Sequence, residues 1–232
     1  MRILIFDTET TGLPQGRNPS IMDSALWPHI VQLSYIVYDT ELSQVISITD
    51  DIIDIPENVV ISDFCVALHG ITNLISKTKG IPISAAIQPF LQEFEKAELV
   101  IAHNMEFDLN MLAAELVRLK TSVQNSKIES KRWYDKISML VDATKLHCTM
   151  QEGLDLCNIK AVYKTTKKEY VKFPSLSELH THLFGYIPAN LHNSLHDSVV
   201  CLRCFYKMKF DKDIRDENGV LAEMIDKLKV SD

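Results

Sequence analysis

No stretch of this 232-residue chain stays apolar long enough to cross a bilayer, and the apolar start at residues 1–6 is too short for the core of a secretion signal. The expectation is a soluble, intracellular protein with no membrane partner. Cysteine is sparse as well. Cys65, Cys148, Cys157, Cys201 and Cys204 are five, an odd number set mostly among apolar neighbours, which argues against a disulfide framework and for a reducing compartment. A basic excess is also missing. The net charge of −7 argues against a long electrostatic groove for duplex DNA, because non-specific phosphate binding rests on many Lys and Arg contacts. Nucleic acid is not excluded, since the field at a site matters more than the total charge. There is no internal repeat and no low-complexity segment.

What the chain does have is enough apolar content, 46%, for one sizeable globular domain. Ile3-Leu4-Ile5-Phe6 reads as a strand. Ile30 to Tyr38 and Val45 to Ile55 are β-branched and partly alternating, and so predict an antiparallel hairpin. Helices are expected over 62–68, 72–78 and 84–96, the last shortened or kinked by Pro89. Leu99 to Ala102 is a short buried strand, with Asn104 expected to cap a helix running to Leu119. Residues 121–130 are expected as a loop, 133–143 as a helix and Leu146 to Met150 as an edge strand. Residues 160–172 hold Lys160, Lys164, Lys167, Lys168 and Lys172 among aromatics. They read as a mobile basic loop rather than regular structure, ordinarily just solvated but suited to guiding a phosphate backbone. Ser175 and Glu178 form a capping box for a helix that ends at Gly185. A core helix from Leu195 to about Met208 and a short amphipathic helix, Val220 to Leu228, complete the expectation of a mixed sheet flanked by helices. Residues 1–208 would form the catalytic domain, with 209–232 as a short helical extension packed on it.

The chemistry concentrates in three places. In Asp7-Thr8-Glu9-Thr10-Thr11-Gly12, Asp7 and Glu9 are two apart on a strand and project from one face, where they can share a metal centre. Two carboxylates that close repel unless a cation compensates them, and Mg²⁺ or Mn²⁺ takes oxygen ligands of this kind. The second place is His103-Asn104-Met105-Glu106-Phe107-Asp108, which puts Asp108 in the first turn of a helix that follows a strand. The third is Asp197, near the start of the last long helix, with His192 five residues before it. Five helical residues turn through about 500°, so the two would not share a helix face, and His192 is placed on the entering loop.

In order, these segments resemble the D-x-E-T-T-G, H-N-x-x-F-D and H-x-x-x-x-D motifs of the DnaQ-like 3′-to-5′ exonucleases, in their histidine-containing branch. The resemblance spans about residues 3–208. It implies a ribonuclease H-like fold, of class α/β, whose five-stranded mixed sheet has the first strand at its centre. It also implies that Asp7, Glu9, Asp108 and Asp197 hold two Mg²⁺ or Mn²⁺ ions roughly 3.5–4 Å apart, with His192 as general base. Thr10, Gly12, Leu13, His103, Asn104 and Phe107 would lie against the terminal nucleotide. The implied partner is a single-stranded 3′ end, DNA favoured over RNA, with a DNA polymerase as a possible protein partner.

Plainer roles compete at several positions. Asp108 alone would be an ordinary helix N-terminal acid stabilised by the macrodipole. His196 is the rival to His192, but the five-residue spacing favours the latter. The Cys201-x-x-Cys204 pair has no second cysteine pair and reads as buried packing. His180 and His182 straddle surface and core, and Trp27 and Trp133 suit packing at least as well as base stacking.

Overall fold

A computed structural model of the chain describes residues 1–122, 135–136, 138–140 and 143–229. Its frame is a five-stranded sheet in the order β3-β2-β1-β4-β5, with β1 Arg2–Thr10, β2 Ile30–Asp39, β3 Gln44–Ile52, β4 Leu99–Ala102 and β5 Leu146–Cys148. β1 lies at the centre, antiparallel to β2 and parallel to β4, so the sheet is mixed. The hairpin places β3 at one edge, and the parallel pairing of β4 with β5 places β5 at the other.

Side-chain alternation along β1 sorts its residues between two cores. Leu4 and Phe6 join Leu33, Tyr35 and Val37 under helices α3 (Ile83–Lys96) and α4 (Met105–Ser122). Ile3 and Ile5 join Ile36 and Tyr38 under the last long helix, which carries Val199, Leu202 and Phe205. With both faces covered, β2 is buried from Ile30 to Tyr38, whereas edge strand β3 alternates between exposed and partly buried positions. Continuing the same period past Phe6 sends Asp7 and Glu9 to the face of the last long helix.

Helices α1 (Asp63–His69) and α2 (Asn73–Lys79) begin where their caps dictate, with Ser62 Oγ accepting from Cys65 N–H and Thr72 Oγ1 from Ile75 N–H. Three expectations need correction. Pro89 does not break α3, which runs continuously, because Pro89 and Ala85, whose carbonyl loses its partner, both sit on the solvent side. Asn104 enters α4 in the left-handed conformation, φ 67°, rather than the extended backbone of an ordinary N-cap, and its carbonyl accepts from Phe107 N–H. Residues 160–172 form a two-stranded antiparallel ribbon, β6 (Lys160–Val162) and β7 (Glu169–Val171), where a loop was expected.

Helix α5 (Thr149–Cys157) was not anticipated, and its Gly153 explains why. Glycine is a poor helix former, yet a Cβ there would come within 3.0 Å of Leu179 Cδ1 and 3.1 Å of Pro174 Cγ, so the residue serves close packing. Leu179 belongs to α6 (Leu176–Phe184), which carries the expected Ser175–Glu178 capping box and stops at Gly185, φ 81°. The last long helix is α7 (Ser194–Phe210), followed by α8 (Ile214–Glu217) and α9 (Gly219–Lys227), which bury Ile214, Leu221 and Ile225 in the second core. Cys201 and Cys204 are buried in that core, and Trp27 is buried with its indole N–H on Ser20 O. His180 is buried while His182 is exposed. Of the helix expected over 133–143, residues 135–136 and 138–140 are helical and Ala143 opens a short 3-10 turn; the rest, Trp133 included, lies outside the described residues. So does the loop expected over 121–130, except for Thr121 and Ser122, which instead extend α4 past its expected end at Leu119. No described helix is long and apolar enough to cross a membrane.

Candidate active site

Three elements deliver the acids to the C-terminal end of β1. Asp7 and Glu9 come from the strand itself. Asp108 comes from the first turn of α4 and is fixed by Thr8, whose N–H and Oγ1 both donate to Asp108 Oδ1 at 3.1 and 2.6 Å. Asp197 comes from the first turn of α7, where its Oδ2 accepts the backbone N–H of His192 at 3.0 Å. His192 lies on the loop before that helix, exposed and in the left-handed conformation, φ 65°. A non-glycine residue there is uncommon, and here the strain goes with a backbone bond that ties the histidine to Asp197.

The start of α7 is locked onto β1 and β2 by a chain of hydrogen bonds centred on buried Ser194. Its Oγ donates to Asp7 O at 2.5 Å and accepts from Ser34 N–H, while its N–H donates to Gln32 Oε1. Gln32 Nε2 and Ser34 Oγ both donate in turn to Asp50 Oδ1 on β3, at 2.6 and 2.7 Å. None of these residues was singled out from the sequence, and isolated Ser and Gln side chains give no signal that could have found them.

Electrostatically the cluster is under stress. Burial first, then the facing charges of Asp108, Asp197 and Glu9, hold the Asp7 carboxyl well above the usual carboxylate range. Burial and the charges of Asp197 and Asp108 push Glu9 up to about 8. Burial raises Asp108 and Asp197 too, although Thr8 opposes the shift at the former and the His192 N–H at the latter. Ligand atoms of Glu9, His192 and Asp197 lie within 4.8 Å of one another, and Asp197 Oδ1 is enclosed with no hydrogen-bond partner. A buried oxygen without a donor, among carboxylates that repel, fits a divalent cation.

A cleft of about 470 Å³ is lined by Leu13, Arg17, Trp27, Asn104, Glu106 and Phe107, among others; neither the four acids nor His192 lines it, and Asn104 and Phe107 belong to the segment that leads into Asp108. Leu13 is 80% exposed on its rim. Of the remaining positions expected on the substrate side, Thr10 Oγ1 donates to Gly12 O, and a Cβ on Gly12 would meet nothing within 4 Å. His103 is differently placed. Its Nδ1 bonds Thr149 Oγ1 and its Nε2 bonds Pro174 O, and burial lowers it to about 4, so the neutral ring ties α5 and the approach to α6 to the site and does not line the cleft. His196, the rival to His192, bonds Asn190 O through Nδ1.

His69 is a residue that the sequence reading passed over. It closes α1 with Nε2 3.3 Å from Thr10 O and Nδ1 accepting from Ile71 N–H, and burial, with a contribution from His192, lowers it. The signal was Leu68-His69-Gly70-Ile71-Thr72, a helix stop followed at once by a new cap. The glycine takes φ 76°, and the sharp turn brings the histidine back onto the end of β1.

The family model described as Exonuclease, of the RNase T type, matches residues 4–205. The chain belongs to this family, the DnaQ-like 3′-to-5′ exonucleases. Solved structures show the same ribonuclease H-like fold. Exonuclease I of E. coli in complex with a dT13 oligonucleotide is 14% identical with a TM-score of 0.60, over 90% of this chain and 42% of that one. Exonuclease I of Methylocaldum szegediense is 15% identical with a TM-score of 0.55, over 95% and 43%. A 3′-exonuclease that recognises the histone mRNA stem-loop is 13% identical with a TM-score of 0.52, over 91% and 83%. The chain therefore spans about two-fifths of the length of the exonuclease I chains. No curated protein sequence matches it.

Proposed function

We propose that this exonuclease-family chain is a metal-dependent 3′-to-5′ exonuclease that removes nucleoside 5′-monophosphates one at a time from single-stranded or frayed DNA ends. The observation that carries the reading is the charge crowding of Asp7, Glu9, Asp108 and Asp197, with ligand atoms of Glu9, Asp197 and the exposed His192 within 4.8 Å of one another. Asp7, Glu9, Asp108 and Asp197 would hold two divalent ions, Mg²⁺ or Mn²⁺. Those ions, when bound, supply Lewis acidity to the scissile phosphate and charge for the departing 3′ oxygen.

The chain's own groups do the rest. His192, held at the mouth of the cluster by its backbone bond to Asp197, accepts the proton of the attacking water. Thr8 holds the Asp108 carboxylate and Ser194 holds the backbone of Asp7, so these two acids are positioned before substrate arrives. Leu13, Asn104 and Phe107 take the terminal nucleoside in the cleft, with the open backbone at Gly12 beside it. Proofreading beside a DNA polymerase, repair and end trimming all call for this chemistry.

A second reading, an exoribonuclease with the same site, has support from the histone mRNA 3′-exonuclease, the compared structure whose own length this chain covers most fully. Discrimination would rest on contacts to the 2′-hydroxyl. The test for both is digestion of 5′-labelled single-stranded DNA and RNA of one sequence with Mg²⁺, Mn²⁺ or EDTA, beside Asp7→Ala. The expected result is a metal-dependent ladder shortening from the 3′ end, faster on DNA and absent in the variant. A ladder on RNA alone moves the assignment to the second reading. No ladder on either polymer from folded protein overturns the enzyme and leaves a nucleic-acid-binding module.

A further inference from the structure

The ribbon β6–β7 is a strongly basic feature of an acidic chain. Five of the 24 basic residues fall within positions 160–172 beside a single acid, Glu169, leaving 19 basic and 30 acidic residues elsewhere. Lys172, at its base, is committed to structure through Glu178, with Nζ to carboxylate distances of 2.6 and 2.8 Å. The other four are not. Lys160, Lys164, Lys167 and Lys168 are exposed, and among the described residues none of them joins an ion pair, whereas Lys77, Lys96, Lys207, Lys212 and Lys229 all do.

The fold presents these lysines on a built support. Lys160 pairs with Val171, Ala161 with Tyr170 and Val162 with Glu169, and Tyr163 N–H continues the pairing by donating to Lys168 O. Cross-strand partners share a face, so Tyr163, Tyr170 and Lys168 lie together, and the two tyrosine rings stack with centroids 4.2 Å apart. Tyr163 remains 50% exposed. The tip closes through Lys167 N–H to Tyr163 O, with Lys167 at φ 57°. At the other end, Pro174 O accepts from His103 Nε2, and His103 stands directly before α4, the helix that carries Asp108. The ribbon is therefore tied, through Pro174 and His103, to the segment that leads into α4 and Asp108, and it extends roughly 20 Å from that tie, the length of about six stacked nucleotides.

We infer that this ribbon is a binding arm for the single-stranded nucleic acid upstream of the 3′ terminus. Lys164, Lys167 and Lys168 meet successive phosphates, and the Tyr163–Tyr170 pair offers a base-stacking platform. Lys164, Lys167 and Lys168 lie in the turn between the paired strands, where Tyr163 N–H to Lys168 O and Lys167 N–H to Tyr163 O order the backbone, and aromatic rings beside cations suit a strand that exposes both phosphates and base faces. The direction of the bound strand rests on the nuclease reading above; the binding itself does not.

The test is fluorescence anisotropy of 5′-labelled dT3, dT20 and U20 with the whole protein in EDTA, from 50 to 300 mM KCl. It compares wild type, the triple variant Lys164→Gln/Lys167→Gln/Lys168→Gln, Tyr163→Ala, and Lys207→Gln as a control at a lysine far along the chain. The triple variant is expected to weaken dT20 binding about ten-fold and to lower the slope of log affinity against log salt by about 2, since each single-strand phosphate contact contributes about 0.7. Loss on dT3 should stay within about two-fold, and Tyr163→Ala should weaken dT20 about five-fold or more. Parallel behaviour of DNA and RNA assigns the arm to the shared backbone; a loss confined to one polymer makes it a sugar-reading element and overturns the backbone assignment. Equal salt slopes for wild type and triple variant, equal losses on dT3 and dT20, or displacement of dT20 by polyglutamate as readily as by unlabelled dT20 each overturn the arm. Turnover assays on the same preparations separate the two readings, because a protein that cleaves nothing yet shows the slope change keeps the arm and loses the nuclease.

Discussion

At the end of β1 four carboxylates crowd one another, with burial and mutual repulsion lifting Glu9 to about 8, while on the ribbon at 160–172 four lysines stand exposed, none of them in an ion pair among the described residues. The first arrangement costs stability in the folded chain and fits a cation that would neutralise it. The second costs almost nothing, so its presence alone implies little, and only its register and its root on His103 give it direction. Strain makes the role of the acids readable from structure. The lysines must be read from salt dependence.

Asp7→Asn breaks the comparison most sharply. Removal of one carboxylate from the cluster should lower turnover about 10³-fold or more. The same change removes a repelling charge, so in EDTA at pH 8 the thermal midpoint of the variant should rise by a few degrees, about 2–4 °C per kcal/mol for a domain of this size. Turnover and calorimetry on one preparation decide it, and a midpoint that falls would mean that the acids are not strained. His192→Ala comes next, with a loss of about 10²-fold or more in kcat, since the base is removed while the carboxylates remain. In Ser194→Ala the donor to Asp7 O is lost and Ser34 N–H is left without its acceptor, so the start of α7 loosens against β1. Here the expectation is a ten- to hundred-fold drop in apparent metal affinity, of the order typical when a supporting hydrogen bond is removed, measured as the Mn²⁺ concentration for half-maximal activity.

The pH dependence of stability should separate the two regions without mutation. Asp7, Glu9, Asp108 and Asp197 all have folded-state values raised above their ordinary ones, so the folded chain holds protons that the unfolded chain has released. Their contribution to stability therefore falls as pH rises from about 4 through about 8, and shows most clearly above about 6.5, because below that the buried His103 and His180, both lowered to about 4, add stability as pH rises. Millimolar Mn²⁺ or Mg²⁺ should reverse the fall at the upper end of that window, because the ions bind the deprotonated acids. Thermal melts at pH 5, 6.5 and 8 with and without metal check this, and a metal effect equal at pH 5 and pH 8 would contradict it.

How much of this was legible in the sequence follows the same division. Asp7 and Glu9 announced themselves through a period of two behind an apolar strand, and the ordered motifs at Asp108 and Asp197 carried the family and the fold. Helix α6 started at its Ser175 cap as expected, and α1 and α2, expected from residues 62 and 72, start one residue later because Ser62 and Thr72 serve as their caps. The misses were decisions made elsewhere in the molecule. Gly153 sits in a helix because Leu179 and Pro174 need the space, and Pro89 is tolerated because its side of α3 faces water. His103 turned from the cleft because Thr149 and Pro174, 46 and 71 residues away, take its two nitrogens. The Gln32–Asp50–Ser194 chain of hydrogen bonds spans up to 162 residues and leaves no trace in local pattern.

The smallest effect belongs to Lys172→Ala, and it sharpens the comparison because it tests a lysine of the same ribbon that has a partner. Its Nζ is bound to Glu178, both side chains are about a third exposed, and an exposed pair of this kind contributes under about 1 kcal/mol. Glu178 would still accept from Ser175 N–H in the capping box, so α6 should keep its start. The variant should therefore lose little stability, and because this charge is already neutralised by its partner, dT20 affinity should change by less than about two-fold, with the salt slope intact. A drop as large as that of the triple variant would mean that net positive charge on the ribbon, rather than the unpaired lysines at its tip, sets the binding. The distinction between committed and free lysines would then fall.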